Sequence, residues 1–208
     1  FNTLLYWILK LFPVGTLVEE AGDLIRAAEA VVATQFGIAT TRQEGTSCND
    51  VSIIFARGTG EVGNVGVLVG PELFDAVLAR LNGTSTTLAV QGVNYAADVS
   101  GFLLGGDPAG SQQMQVLSFC PKTNIVMAGY SQGGQLIHNA VKLLSMVDHI
   151  SSVVIFGDPN YPATMDRIAP LRQLVICHDN DLICGRGDMI LLPHLTYAQD
   201  VGHAADFI

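Results

Sequence analysis

The chain has 208 residues, of which 49% are apolar and 14% are charged. This composition can bury a substantial core, and the length fits a single α/β domain. Ten basic residues against 19 acidic ones give a net charge of −9. The chain would therefore repel phosphate backbones, and nucleic acid is not an expected partner.

Residues 1–40 are predicted to form a helical N-terminal extension. The apolar run at 4–12 is far shorter than the roughly 20 residues of a membrane span, so no transmembrane segment is expected. Thr16 and Glu19 have the spacing of a capping box, which predicts a helix start. Apolar residues then recur on one predicted helix face: Leu17, Ala21, Leu24, Ile25, Ala28, Val31 and Val32.

Residues 41–208 are predicted to form the main domain. Strands are expected near 51–56, 88–93, 125–130, 153–157 and 173–177, and helices over 71–81, 111–118, 132–145 and 201–208. This alternation predicts an α/β fold, a three-layer α/β/α sandwich with a central, mostly parallel five-stranded sheet.

The four cysteines are Cys48, Cys120, Cys177 and Cys184, and their spacing matches no metal-finger pattern. Of three possible disulfide pairings we favour Cys48 with Cys120 and Cys177 with Cys184, because the second pair closes a short local loop. An even cysteine count favours a secreted, extracellular protein, although buried free thiols in a cytosolic protein remain an alternative. Asn82 begins a glycosylation sequon, which also suits a secreted protein.

A serine lies at the centre of a Gly-x-Ser-x-Gly sequence, directly after an apolar, strand-like run. When a strand reverses sharply into a helix, Gly129 and Gly133 remove side chains that would collide, which leaves the Ser131 hydroxyl exposed. Apolar residues with helical spacing follow, as this turn requires. The motif therefore predicts a nucleophile at Ser131. The alternative is a glycine-rich turn whose serine caps the helix.

A serine nucleophile needs a base, and histidine is the usual one. Four of the five histidines are expected to be structural or exposed: His138, His149, His178 and His203. His194 differs because it follows the apolar run 189–193 on a late loop, where it could fold back over the serine. We therefore predict His194 as the base.

The base is usually oriented by a carboxylate. Asp181 lies between Cys177 and Cys184, in a loop that a disulfide would fix. Asp179 and Asp158 remain competitors on spacing alone, and a turn-forming role before proline is the alternative for Asp158.

The reaction also needs hydrogen-bond donors for an oxyanion. The N–H of Gln132, directly after the serine, is one candidate. Thr59 follows the first strand of the main domain and could supply the second through its amide and hydroxyl. The alternative for Thr59 is an ordinary glycine-rich turn.

These motifs together resemble the cutinase family, secreted esterases of the α/β-hydrolase fold. The resemblance runs from Cys48 to the C-terminus through four ordered motifs: residues 54–59, residues 129–133, the 177–184 loop, and Pro193-His194-Leu195. It implies that Ser131 is the nucleophile, His194 the base and Asp181, rather than Asp179, the acid. It also implies that Thr59 and Gln132 form the oxyanion hole and that the cysteines form the two disulfides favoured above. Thr59 stands where many relatives have Ser, a change that keeps the hydroxyl.

The N-terminal extension departs from the compact cutinase pattern. We hypothesise that residues 4–24 form a lid over the active site, because several apolar side chains need a surface to cover. These side chains are Leu5, Trp7, Ile8, Leu11 and Phe12. The alternative is a helix docked permanently elsewhere on the core.

The resemblance implies hydrolysis of carboxylic esters, such as polyester cutin or short to medium acyl esters. The expected partner is a polyester or lipid ester substrate, and the enzyme is expected to be a monomer. No metal or organic cofactor is expected. A hydrophobic groove is expected from Leu103, Leu104, Ile190, Leu191 and Leu195. One alternative is an acetylxylan esterase, which would need a narrower, polar groove. An alternative of another class is a catalytically silent protein that binds lipid or polyester.

Overall fold

The structure is a computed structural model that describes Trp7 and residues 10–12, 14–44, 49–117 and 123–208. Its strands are β1 (Thr16–Leu17), β2 (Val51–Ala56), β3 (Leu88–Gly92), β4 (Asn124–Tyr130), β5 (Ile150–Phe156), β6 (Gln173–Ile176) and β7 (Met189–Ile190). The α-helices are α1 (Val18–Phe36), α2 (Gly70–Leu81), α3 (Val99–Leu103), α4 (Pro108–Leu117), α5 (Gln132–Leu143) and α6 (Val201–Phe207). Three short 3-10 helices cover Pro170–Arg172, Leu192–Leu195 and Tyr197–Asp200.

Five strands form one parallel sheet in the order β3-β2-β4-β5-β6. The central strands are apolar along almost their whole length, as strands covered on both faces must be. Along the chain, β3 is added on one side of β2 and the later strands on the other side, so the direction of strand addition reverses between β2 and β4. In such sheets ligands bind at this point, beyond the carboxyl ends of the strands. Thr59 follows β2 and Ser131 follows β4, so both lie at this edge.

Helices cover the two faces of the sheet, and each face has its own core cluster. Alternate residues of the strands point to opposite faces, so that Phe55 packs with α1, α2 and α6, whereas Ile54 packs with α4 and α5. On the second face, Met114 and Leu136 are fully buried. This arrangement confirms the predicted three-layer sandwich with a five-stranded sheet.

The start of the N-terminal helix differs from the prediction. Thr16 does not cap α1, because the chain at Thr16 and Leu17 is an extended strand that pairs antiparallel with β7. The first helical residue, Val18, donates its N–H to the carbonyl of Asp188 at 2.8 Å, so the β7 segment satisfies a donor that a capping side chain would otherwise take.

The predicted apolar face of this helix was wrong at two positions. Leu24 and Val31 are about half exposed, whereas Ile25, Ala28 and Val32 are buried. The short β1, β7 and α3 were not predicted, because two to five residues carry too little periodic pattern. Of the apolar residues assigned to a lid, Phe12 is buried and Trp7 and Leu11 pack against the core. Leu5 and Ile8 lie outside the described residues.

Candidate active site

The turn between β4 and α5 gives Ser131 an unusual backbone conformation. Its φ and ψ angles are 54° and −120°, which a residue with a side chain rarely adopts. The glycines on either side allow the close approach of neighbouring chain segments, since a Cβ at Gly133 would lie 2.0 Å from the Ala56 carbonyl oxygen and one at Gly129 would lie 2.7 Å from Gly133. This geometry holds the serine hydroxyl above the sheet edge.

Ser131, His194 and Asp181 form a continuous hydrogen-bonded chain. The Ser131 Oγ lies 3.0 Å from His194 Nε2, and His194 Nδ1 lies 2.8 Å from Asp181 Oδ2. Asp181 also accepts from the Tyr197 hydroxyl at 2.6 Å and from the Ile183 N–H at 3.0 Å. A carboxylate that accepts all three bonds leaves the proton on Nδ1, so Nε2 is free to accept the serine proton.

The electrostatics of Asp181 agree with this proton placement. Burial alone raises the pKa of its carboxyl, but hydrogen bonds from His194 and Tyr197 and the nearby imidazole outweigh burial, so its pKa is lower than usual. Asp181 therefore stays ionised and can stabilise the imidazolium that forms when His194 takes up a proton.

The loop that carries Asp181 is fixed covalently and by a second histidine. A disulfide joins Cys177 to Cys184, with 6.0 Å between the two Cα atoms. His178 lies 2.8 Å from the Pro193 carbonyl through Nδ1 and 2.6 Å from Asp200 through Nε2. These contacts hold the loop that carries Asp181 next to the segment that carries His194. Cys48 and Cys120, the other predicted pair, lie outside the described residues.

Thr59 and Gln132 lie next to the serine. The Gln132 side-chain amide donates to Thr59 Oγ1 at 2.9 Å and to the Asp98 carbonyl at 2.7 Å, which fixes the loop of Thr59 against α5. The main-chain N–H of Gln132 belongs to the first turn of α5, where no carbonyl of the helix can accept it. Both residues can therefore present donors to a negative oxygen bound at Ser131.

Residues of α1 line the space beside these groups. A cavity of only about 20 Å³ remains beside Ser131, and it is lined by residues of α1, the sheet edge and the β7 segment: Val18, Ile25, Thr59, Glu61, Leu68, Tyr130, Ser131, Ile190, His194 and Leu195. Ser131 is 6% exposed and His194 is 3% exposed. This volume holds about one water molecule and no acyl chain.

The other predicted residues are distributed as follows. Ile190 and Leu195 line the cavity. Leu191, between them in the sequence, is partly buried and is not among the residues that line this cavity. Leu103 and Leu104 are exposed and do not line it either. Among the competing acids and bases, Asp179 is exposed, whereas Asp158 and His138 form a separate buried pair, with 2.8 Å between Oδ2 and Nε2.

Sequence reasoning missed three buried groups near the site. Tyr197 supports Asp181, and the Tyr130 hydroxyl donates to the His194 carbonyl at 2.9 Å. Glu29 is fully buried on α1, next to Glu61 of the loop after β2. A glutamate inside the buried stripe of an amphipathic helix was the available signal for Glu29.

The comparisons with known proteins identify the family. A family model described as Cutinase matches residues 47–208. The chain belongs to the cutinase family. It is 46% identical to a cutinase of Hypocrea jecorina, over 100% of this chain and 84% of that protein, and 50% identical to a cutinase of Botryotinia fuckeliana, over 79% and 84% respectively.

Solved structures agree with this assignment. A structure described as Trichoderma reesei cutinase in complex with a C11Y4 phosphonate inhibitor superposes with a TM-score of 0.83 at 44% identity, covering 100% of this chain and 95% of that one. A cutinase-like protein from Cryptococcus sp. shares the fold, with a TM-score of 0.56 at 19% identity, over 78% and 94% of the two chains. The chain is therefore a carboxylic ester hydrolase.

Within the ranges that the structure covers, no cluster of His, Cys, Asp or Glu is arranged to hold a metal ion. None of the helices in those ranges is long and apolar enough to cross a membrane.

Proposed function

We propose that this cutinase hydrolyses esters through an acyl-enzyme formed on Ser131, with His194 as general base and Asp181 as the orienting carboxylate. The observation that carries the proposal is the unbroken chain of 3.0 Å and 2.8 Å contacts from Ser131 Oγ through His194 to Asp181. A catalytically silent binding protein would have no need for this proton path, which the buried environment of all three side chains isolates from solvent.

The chemical steps follow from the positions of these groups. As Ser131 Oγ attacks the ester carbonyl carbon, its proton passes to His194 Nε2 and Asp181 stabilises the imidazolium. The carbonyl oxygen becomes negative and accepts from the Gln132 N–H and from Thr59. His194 then gives the proton to the leaving alkoxide. Water then attacks the acyl carbon while the same nitrogen takes its proton. The bond to Ser131 Oγ breaks, His194 returns the proton to that oxygen, and the acid is released with the serine restored.

The apolar lining of the cavity supports a substrate with an acyl chain, such as a cutin polyester or a short to medium acyl ester. Leu68, Ile190 and Leu195 line this space and lie outside the N-terminal segment. A sugar-borne acetyl group, the substrate of an acetylxylan esterase, would find few polar partners here. An acyl chain can instead gain about 0.8 kcal/mol for each methylene that it buries.

We infer that the N-terminal segment is a lid. The cavity under Val18 and Ile25 is too small for any acyl group, so these residues must move before a substrate can enter. The two-residue pair of β1 with β7 is the contact that has to separate. Detergent or a lipid or polyester surface would stabilise the open state by covering the apolar face of the lid.

A matched pair of substitutions on one helix tests the lid. Ile25→Asn removes apolar contact from the underside of α1, whereas Leu24→Asn alters the exposed side of the same helix. We expect Ile25→Asn to hydrolyse soluble short-chain esters faster without detergent and to gain less from detergent, with Leu24→Asn unchanged. Equal detergent activation in the two variants and the wild type would contradict a lid.

The catalytic roles are tested by hydrolysis of p-nitrophenyl esters from two to sixteen carbons, with Ser131→Ala in parallel. We expect turnover to be abolished in the variant and the wild type to prefer chains longer than acetyl. A maximum at two carbons would favour the acetylxylan esterase alternative. Activity that survives in Ser131→Ala would place the nucleophile elsewhere.

We further propose that the enzyme is secreted and acts as a monomer in the extracellular space. The Cys177–Cys184 disulfide supports secretion, because such bonds persist in oxidising compartments and are rare in the cytosol. A mass measurement on the native protein before and after reduction, together with size-exclusion chromatography, tests both statements.

A further inference from the structure

Two carboxyl groups meet in the core, directly beneath the loop that carries Thr59. Glu29 belongs to α1 and is 0% exposed, and Glu61 follows Thr59 by two residues and is 1% exposed. Both bond to the same loop, since Glu29 Oε2 accepts from the Val62 N–H and Glu61 Oε2 accepts from the Gly58 N–H, and the charge of Glu61 raises the pKa of Glu29. Acidic side chains are almost never fully buried unless they are paired, so this contact between two acids needs a physical explanation.

Glu61 has the hydrogen bonds of an ionised carboxylate. Its Oε2 accepts from the Gly58 N–H at 2.7 Å, and its Oε1 accepts from the N–H groups of Val67 and Leu68 at 3.1 and 3.0 Å. These three donors surround both oxygens, and Gly66 allows the approach, since a Cβ there would lie 2.2 Å from Oε1. The carboxylate therefore holds the loop from Gly58 to Leu68 in one conformation.

Glu29 has the environment of a neutral acid. Its Oε2 accepts from the Val62 N–H at 2.9 Å, but its Oε1 is buried and meets no donor among the described residues. An ionised oxygen left without a donor in the core would be costly. A proton on Oε1 removes this cost, because the resulting hydroxyl can donate to the Glu61 carboxylate.

The charges that face Glu29 favour the same protonation. Burial raises the pKa of Glu29 well above the usual value and the charge and hydrogen bonding of Glu61 add to the rise, whereas the Val62 N–H and, after it, Arg57 lower this pKa. The guanidinium of Arg57 is itself engaged with the Glu61 and Tyr95 carbonyls, and the remaining titratable neighbours are Arg26 on α1 and Tyr130 at the sheet edge.

We propose that Glu29 is a positioning residue for the oxyanion loop: its carboxylic acid donates to Glu61 and accepts from Val62, and so fixes Thr59 from the side of the N-terminal helix. Glu29 follows Val18 and Ile25 on the same buried stripe of α1. The helix that covers the active site therefore also supports its oxyanion donor. This inference rests on the role of Thr59 proposed above.

Two substitutions separate the hydrogen bonds from the proton. In Glu29→Gln the amide can donate to Glu61 and accept from Val62 at every pH, whereas Glu29→Leu keeps the volume and loses both bonds. Asp75→Asn on α2 is the control, because it removes one exposed carboxylate far from the site. The measurements are kcat and KM for p-nitrophenyl butyrate between pH 6 and 10, with competent serines counted by a phosphonate titrant.

We expect kcat of Glu29→Leu to fall by about tenfold with KM within about twofold, a fraction of the loss caused by removing an oxyanion donor outright. Glu29→Gln should stay within about twofold of the wild type at pH 7, because its bonds are conserved. The wild type and Asp75→Asn should lose kcat at alkaline pH as Glu29 ionises beside Glu61, and Glu29→Gln should lack that loss.

An alkaline decline that is the same in Glu29→Gln and the wild type would overturn the proposal, as would an unchanged kcat in a folded Glu29→Leu. If Glu29→Leu does not fold, the pH profile of Glu29→Gln still decides. Failure of the catalytic assignment would look different, since the phosphonate would then not titrate the wild-type serine, or Ser131→Ala would remain active.

Discussion

Replacing Tyr197 with Phe removes a single hydroxyl from the hydrogen-bonded chain behind the active site. That hydroxyl donates to Asp181 Oδ2 at 2.6 Å and accepts from the His178 N–H at 3.0 Å. Tyr197 is completely buried, so solvent does not replace either bond in the variant. A phenylalanine ring would still stack on His178, where the ring centroids are 4.1 Å apart. The substitution therefore isolates the hydroxyl.

The expected magnitude follows from the charge of Asp181. A hydrogen bond to an ionised group contributes about 1.5–3 kcal/mol, so we expect the free energy of unfolding to fall by about 2 kcal/mol at pH 7. For a chain of this size that corresponds to a Tm about 4–8 °C lower. We expect kcat/KM to fall by about tenfold or less, because Asp181 keeps its hydrogen bonds with Ile183 and His194 and so still orients the base.

The pH dependence has a defined sign. The lowered pKa of Asp181 stabilises the fold above its unfolded-state pKa, and this stabilisation is lost as the pH falls through the folded-state pKa. The Tyr197→Phe deficit should therefore be largest at neutral pH and shrink in acid. Because the variant lacks one bond that lowers this pKa, the acid limb of kcat/KM should move to higher pH.

Thermal unfolding at pH 7 and pH 4 and a pH–rate profile check these expectations, with Tyr161→Phe at an exposed tyrosine as the control. A Tyr197→Phe variant with the Tm and acid limb of the wild type would refute the argument that this hydroxyl supports the carboxylate.

Two further predictions concern the serine turn. Ser131→Gly should abolish turnover and yet have a free energy of unfolding about 1 kcal/mol higher than that of Ser131→Ala, because glycine adopts a φ of 54° without strain. Equal stabilities of the two variants in denaturant unfolding would contradict this. Gly133→Ala should lower kcat by at least about 100-fold or prevent folding, because its Cβ would lie 2.0 Å from the Ala56 carbonyl oxygen. Gly202→Ala, whose Cβ would meet nothing closer than 3.8 Å, should be silent in the same assays.

The sheet and its main helices could be predicted from the sequence because their signals are local. The buried parallel strands are mostly apolar, and the glycine spacing around Ser131 directly reflects the contacts that the turn requires. The β1–β7 pair could not be predicted, because two residues show no period and their partner lies more than 150 residues away along the chain.

The acid of the site illustrates a different limit. Asp179 and Asp181 lie two residues apart in one loop, so spacing alone did not choose between them, and only the resemblance separated them. In the structure Asp179 is exposed and Asp181 is hydrogen-bonded to His194 and Tyr197. The difference depends on how the loop closed by Cys177 and Cys184 is oriented, which is a tertiary property.

Glu29 shows why a helical pattern can hide a functional residue. The helical period places Glu29 within the buried stripe of α1, but its neighbour Glu61 is supplied by a loop 32 positions later, which the period does not show. The burial of both acids is accounted for by their hydrogen bonds to the loop from Gly58 to Leu68, which only the fold reveals.

The boundary at residue 40 stays a prediction, but the packing of α1 restricts how the lid can be tested. Ala28 and Val32 belong to the same core cluster as Phe55 of the central sheet. Deleting residues 1–40 would uncover this cluster and remove Glu29 as well, so a loss of activity would not distinguish a missing lid from a damaged core. The region that can open with least disruption is the β1 strand and the first turns of α1, because Glu29 fixes the rest of the helix to the oxyanion loop. Point substitutions at Ile25 and Leu24 therefore test the lid more directly than truncation does.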